Sequence, residues 1–332
     1  MSYSVAVIIP TLNEEKFIAQ CLDCVIDQTY PFKELDLMVI DGGSTDGTEN
    51  IVRAYSQHYP NIRFLRNPGK IQSIAFNIGY EHSDAPYIVR MDAHALYNND
   101  YIEKCIQGLK DDETRGNVGG RCKILPYNDS IWANTNAILN YSRFGIGGSA
   151  FRVSSKPHNV DSVPFGTFPR KVIEKVGGMR EDLKRGEDNE INSRIRKAGY
   201  IVFFDPEIVS SYYARPTFKS SCQQMFANGE SIGHLFYIDK SSVRLRHLMP
   251  LLFVLGIFLG IVGSLFSKIF LFSLSLMFGI YLLCNLFASI FVGCTNKWKY
   301  VPTIFLLFFS VHLSYGVGTI VGFFTGVKLL KR

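Results

Sequence analysis

From Leu248 to Val327 the chain is almost wholly apolar and nearly free of charge, whereas residues 1–245 mix apolar and polar side chains as a water-facing domain does. A helix needs roughly 20 apolar residues to cross a bilayer core of ~30 Å. The stretches 248–266, 269–292 and 301–327 reach about that length, and none shows the polar face of a core helix. Ser267-Lys268 leaves room only for a tight turn, so the first two stretches should form a hairpin. With the preceding domain in the cytosol, Lys297 and Lys299 fall inside, as the positive-inside rule favours. A third full crossing would put Lys328, Lys331 and Arg332 outside, against that rule, and a re-entrant third segment is the other arrangement.

The 332 residues allow about two domains. A net charge of +6 suits acidic substrates or anionic lipid headgroups and falls short of a nucleic-acid-binding signature. Met1–Pro10 runs straight into an apolar strand, so no secretory leader is expected. Seven cysteines are scattered, and Cys21 and Cys24 form a C-x-x-C without a second pair, which reads as core packing rather than a metal or redox site.

Val5–Ile9 is a continuous apolar run of the kind covered on both sheet faces, and Asp36–Ile40 reads as a second buried strand. Helical spacing over 14–27, 49–59 and 71–80 alternates with strands at 62–65 and 87–91. This alternation predicts an α/β domain with a mainly parallel sheet and right-handed crossovers. In such sheets ligands collect beyond the carboxyl ends of the strands. Those ends carry Pro10-Thr-Leu-Asn-Glu14, Asp41-Gly-Gly-Ser-Thr-Asp-Gly47 and Asp92-Ala-His94. The second can offer a carboxylate to a base or ribose and bring its backbone close to phosphate, although an ordinary tight turn reads equally well. Asp92 can hold a divalent cation whose other positions diphosphate oxygens fill, with His94 as a second donor; a solvated turn is the alternative. No G-x-G-x-x-G follows the first strand, which speaks against a dinucleotide-dependent dehydrogenase.

Farther on, helices are expected at 100–109 and 170–176, and strands at 118–124 and 200–204. Gly145–Ala150 reads either as a surface loop or as part of an acceptor lid. Glu187 and Asp188 open a helix ending near Gly199, and by local sequence their acidity suits the helix dipole. The helix expected at 218–238 leads into Lys240, Arg244, Arg246 and His247, a composition that fits an anionic membrane surface.

Taken together and in this order, Ile8–Glu15, Asp41–Thr48 and the Asp92-Ala-His94 turn resemble the nucleotide-sugar domain of inverting family-two glycosyltransferases. Asn67–Ser73 with Ala75–Gly79 is similar to the subgroup that builds succinoglycan-like exopolysaccharides, and the resemblance covers about residues 4–240. It implies a Rossmann-like GT-A catalytic domain over 1–217, an interfacial helix and linker over 218–247, and membrane helices over 248–327. By the same resemblance Pro10, Thr11, Asn13 and Glu14 surround the nucleoside, Asp41 reads the uracil edge, Gly43 and Lys70 serve the nucleotide sugar, and Asp92 carries Mn2+ or Mg2+. The family more often has a second Asp where this chain has His94, and imidazole suits Mn2+ better than Mg2+. The Glu187-Asp188 pair resembles the one whose second carboxylate is the catalytic base. Gln223–Gly229 lacks the Q-x-x-R-W motif of processive synthases, which argues for one transfer per acceptor.

The expectation is therefore a multi-pass, metal-dependent hexosyltransferase of a bacterial cell membrane, with membrane lipids and no nucleic acid as partners. It would move one sugar from a UDP-sugar to a polyprenyl-pyrophosphate-linked glycan in capsule or exopolysaccharide assembly. A polyprenyl-phosphate sugar synthase would have an acceptor oxygen already ionised and no need of Asp188. A non-catalytic assembly scaffold is the reading from a different class.

Overall fold

Apolar runs that fill both faces of a sheet set the first half of the chain. In the computed structural model, which describes residues 3–145 and 150–327, the order is β1 (Val5–Thr11), α1 (Ile18–Ile26), β2 (Leu35–Asp41), α2 (Thr48–His58), β3 (Ile62–Arg66), α3 (Gln72–Glu81) and β4 (Tyr87–Arg90). Next come β5 (Ala95–Tyr97), α4 (Tyr101–Lys110), β6 (Arg115–Leu125), α5 (Ile131–Leu139), α6 (Ala150–Val153), β7 (His158–Asn159) and β8 (Thr167–Pro169). The chain continues through α7 (Arg170–Val176), α8 (Glu187–Lys197), β9 (Ile201–Tyr213), α9 (Phe218–Ile238), α10 (Leu245–Ser264), α11 (Lys268–Thr295) and α12 (Val301–Gly326).

Packing divides the chain into two units, Met1–Lys123 with Ser154–Tyr212 and Ile124–Val153 with Tyr213–Arg332. The first unit holds a sheet in the order β3-β2-β1-β4-β8-β6-β9-β5, with β7 on β9. Strands β3, β2, β1 and β4 are mutually parallel, and β8 then joins β4 antiparallel. The sheet is thus mixed, more so than the alternation suggests. Three-residue strands such as β5 and β8 are too short to carry a period, and β9 runs nine residues past the expected strand end at Phe204. Every residue of β2 is buried; Leu37–Ile40 suits that by being apolar, and the two buried carboxylates, Asp36 and Asp41, are paired with Arg63 and Arg66. α1 covers the sheet with Ile18, Cys21, Leu22 and Val25, at the three- and four-residue spacing of one helix face. Burial pushes the Cys21 thiol up, so the C-x-x-C cysteine is inert packing.

Register brings Thr11, Asp41 and Arg66 level at the carboxyl edge of β1, β2 and β3, with Arg90 ending β4 beside them. α1 starts at Ile18 rather than Glu14 because residues 14 and 15 serve the neighbouring turn: Glu14 N donates to Thr48 Oγ1 (2.8 Å) and Glu15 N to Asp46 Oδ2 (3.2 Å).

In the second unit α10, α11 and α12 are long and apolar enough to cross a membrane. α12 is unbroken, with its only proline in the first turn. Leu139 and Met225 pack with Ile304, Leu307, Phe308 and Val311, so α5, α9 and α12 share a core. The candidate lid loop at 145–150 lies, over 146–149, outside the described residues.

Gly79 on α3 faces β1 and β2. A Cβ there would stand 2.6 Å from Ile8 Cγ1 and 2.9 Å from Ile40 Cδ1. Gly79→Val should therefore overpack this layer and lower unfolding stability by about 1–3 kcal/mol, read as a drop in thermal midpoint of the detergent-solubilised chain.

Candidate active site

The turns after β1 and β2 are interlocked. Gly42 N donates to Thr11 O, Asn13 N to Ser44 Oγ (2.8 Å) and Thr45 N to Asn13 Oδ1 (2.8 Å). Asn13 and Gly43 adopt left-handed backbone angles (φ 57° and 86°), which Asn and Gly tolerate best. Asp41 is wholly buried beneath this turn; its Oδ2 accepts from Gly43 N (2.9 Å), Ser44 N (3.0 Å) and Arg66 Nη1 (3.0 Å). Its carboxylate therefore shapes the turn. Pro10 lies level with Ile40, and Thr11 Oγ1 is buried without a hydrogen-bond partner among the described residues. Lys70 is exposed, also left-handed (φ 60°), and its Cα abuts Gly42.

Beyond β4 the chain places charge on charge. Arg90 is only 4% exposed, and its guanidinium reaches three carboxylates. Nη1 stands 2.6 Å from Asp188 Oδ1 and 3.5 Å from Glu187 Oε1, while Nε stands 3.2 Å from Asp92 Oδ1. Gln72 Nε2, from the first turn of α3, donates to the same Asp92 oxygen (2.7 Å). Asp92 Oδ2 is held more loosely, 3.5 Å from Arg90 Nη2. Residues 92 and 188, far apart in sequence, thus share one side chain. Gly186 in the left-handed region (φ 84°) starts α8, so Glu187 and Asp188 emerge on its first turn, Glu187 buried and Asp188 29% exposed.

Desolvation and the nearby carboxylates of Glu187 and Asp92 outweigh the pull of Arg90 and push Asp188 up to about 7. Burial by itself would lower Arg90, but Asp188, Asp92 and Glu187 more than compensate and keep it charged. His94 is 47% exposed and turns Nδ1 toward Glu14 Oε1 (2.9 Å). Asp92 and His94 therefore have different partners.

Among the described residues no three His, Cys, Asp or Glu side chains converge as a metal cage. The donor set is instead a loosely held Asp92 oxygen and an exposed imidazole, which fits a hard cation that takes one or two protein ligands and completes its shell with diphosphate oxygens.

Sequence reasoning named neither Arg90 nor Gln72. A usable signal was present for Arg90: it is the one charge in the four-residue strand Tyr87-Ile-Val-Arg90, and a buried cation demands partners. Gln72 carried no such signal.

Comparison with known proteins now adds to the geometry. Residues 6–177, just over half of the chain, match Glycosyl transferase family 2. Two relatives are each 29% identical. The dolichyl N-acetyl-alpha-D-glucosaminyl phosphate 3-beta-D-2,3-diacetamido-2,3-dideoxy-beta-D-glucuronosyltransferase of Methanococcus voltae aligns over 94% of this chain and 95% of its own. The succinoglycan biosynthesis protein ExoA of Rhizobium meliloti aligns over 75% of each. In fold, the mannosyltransferase PcManGT from Pyrobaculum calidifontis, solved in complex with GDP-Man and Mn2+, superposes with a TM-score of 0.63 at 18% identity, over 96% of this chain and 88% of that one. The chain belongs to glycosyl transferase family 2, with a GT-A-type α/β sheet followed by apolar helices.

Proposed function

We propose that this enzyme is a membrane-anchored inverting glycosyltransferase that moves one sugar from a nucleotide sugar, a UDP-sugar by the motif resemblance, to a lipid-linked saccharide. The observation that carries this reading is the buried Arg90, which gathers Asp92 and Asp188 at the carboxyl edge of the parallel strands. Single displacement with inversion needs two such acidic functions close together, one for the leaving diphosphate and one for the attacking hydroxyl. The relative from Methanococcus voltae is named for a dolichyl-phosphate-linked sugar, which supports a lipid-linked acceptor. The relationship to ExoA supports a place in exopolysaccharide or capsule assembly.

In this reading Pro10, Thr11, Asn13 and Glu14 line the nucleoside pocket, and Asp41 supports it from beneath through the Gly43–Ser44 turn. Lys70 and Gly43 face the diphosphate. Mn2+ or Mg2+ held by Asp92, with His94 as second donor, would neutralise the charge gained by the departing diphosphate. Such a cation is electrostatically welcome, because one guanidinium cannot balance three carboxylates. Asp188 takes the proton of the acceptor hydroxyl as that oxygen bonds to the anomeric carbon. The bond from that carbon to the diphosphate breaks and its electron pair leaves with the nucleotide. Arg90 holds Asp188 by an ion pair and keeps part of it ionised, and Glu187, on the same guanidinium, completes the catalytic pair by adding the negative charge that makes Asp188 more basic.

The direct test is a donor screen on the detergent-solubilised chain with Mn2+ and lipid-pyrophosphate sugars as acceptors, scored by nucleotide release. Asp188→Asn should lower transfer by about 10²-fold or more while nucleotide binding persists. Full activity in that variant would instead favour a polyprenyl-phosphate acceptor and sink the proposal. A base pushed up to about 7 must be deprotonated to work, so kcat/KM should fall about tenfold per unit below pH 7 and level off above it. A flat profile from pH 5 to 8 would remove Asp188 from the role. Arg90→Met leaves buried carboxylates without a counter-charge and should cost about 3–5 kcal/mol of stability, measured by thermal or denaturant unfolding. Arg90→Lys should recover part of that loss but not the two-sided grip of the planar fork.

A further inference from the structure

The second half of α12 does not run beside α11. Over its first half the two helices are antiparallel neighbours: Val301 abuts Gly293, Phe305 O accepts from Asn285 Nδ2 (3.0 Å), and His312 Nδ1 meets Tyr281 Oη (2.9 Å). Continued in the same way, residues 316–326 would descend along α11 toward Lys268. Instead Gly316 abuts Pro250 and Val254 in the first turns of α10, and α12 then leaves the hairpin.

From here on its close partner is α9, which already shares a core with the first half. Gly318 packs on Phe226, Gly322 on Glu230 and Gly326 on His234 and Tyr237, with His234 Nε2 2.9 Å from Thr325 Oγ1. The offset between these partners is constant, so the two helices run in the same direction. The glycine spacing of four on both, Gly229 and Gly233 against Gly318, Gly322 and Gly326, is what allows their backbones to touch.

The hairpin, by contrast, stands alone over its far half. Gly256 meets Met277, Gly260 meets Leu274 and Gly263 meets Phe270, yet only 6% of the apolar window of either α10 or α11 is buried. For α12 the figure is 39%, with Ile304, Leu307 and Phe308 covered by protein rather than left for lipid. α9 carries Lys219, Gln223, Gln224, Asn228 and Glu230. A crossing by the second half of α12 would drag that helix, with its charged Lys219 and Glu230, through hydrocarbon.

We propose that α12 does not complete a third crossing, and that its second half lies with α9 in the membrane interface on the side where α10 begins. The paired helices form a platform whose partner is the lipid headgroup layer. Its exposed Val317 and Phe324 would dip among the acyl chains, while Lys240 and Arg244 in the α9–α10 link and Arg246 in the first turn of α10 meet anionic headgroups. The basic residues that follow α12 in sequence then stay on the side the positive-inside rule prefers. This inference rests on the reading that the α10–α11 hairpin crosses a membrane.

Epitope tags placed before Met1, between Phe266 and Ser267, and after Arg332 of the full chain test it by protease access in intact cells and inverted vesicles. The first and last tags should be cut from one face and the middle tag from the other. A last tag that sides with the middle one means three crossings and overturns the proposal. A middle tag that sides with the first means that the hairpin itself does not cross, so the anchoring reading fails as well. If the insertion at the turn prevents folding, nitroxides on Val317→Cys and Phe324→Cys, read against the unsubstituted chain, decide independently. Equal, interfacial depths are expected; a difference of about 10 Å, the rise of seven helical residues, would overturn the proposal.

Discussion

A guanidinium stripped of nearly all its water is the constraint from which the catalytic unit takes its shape. Arg90 ends a strand buried in the middle of the sheet, and among the described residues its guanidinium is met by three carboxylates. Desolvating such an ion costs several kcal/mol, which only well-placed opposite charge can offset. Asp92 is local, two residues on, but Glu187 and Asp188 arrive from the start of α8, about a hundred residues later. The fold therefore has to bring the first turn of α8 to the end of β4. In doing so it assembles three acids around one guanidinium, a composition that pushes the Asp188 carboxyl up.

The opposite side of the same edge is built without charge excess. The turns after β1 and β2 hold each other through Asn13, Ser44, Thr45 and Thr48, and Asp41 is spent on backbone amides and Arg66. Each turn is thereby fixed by the other, so the edge keeps its shape through hydrogen bonds within the chain. Thr11 Oγ1, left without a partner among the described residues, is the polar atom in it still to be satisfied.

What the sequence discloses follows the range of the interactions. Runs such as Val5–Ile9 and Leu37–Ile40 announce buried parallel strands, because both faces there must be apolar. The helices at 170–176 and 218–238 and the three apolar stretches are equally visible, since period or length alone defines them. β5 and β8 are not visible, being three residues long and held by antiparallel neighbours far away in sequence. For the candidate site, the carboxylates were readable through the resemblance of their motifs, but their meeting at Arg90 was not, because pairing across a hundred residues leaves no local trace. The alliance of α9 with α12 is a similar case: both glycine spacings stand in the sequence, and which one fits which is a tertiary fact.

Residues 124–153 leave the sheet after β6 and pack with helices made almost at the end of the chain, Leu139 against Phe308 being one such meeting. The sheet-bearing unit is therefore interrupted, and so is the helical one. During synthesis α5 meets α9 first, through Trp132 against Phe218, and its core is completed only when Phe308 emerges, some 170 residues after Leu139. No single cut separates the sheet-bearing unit from the helical one, so a shortened gene ending after β9 would code for a protein that keeps α5 without the helices it packs on.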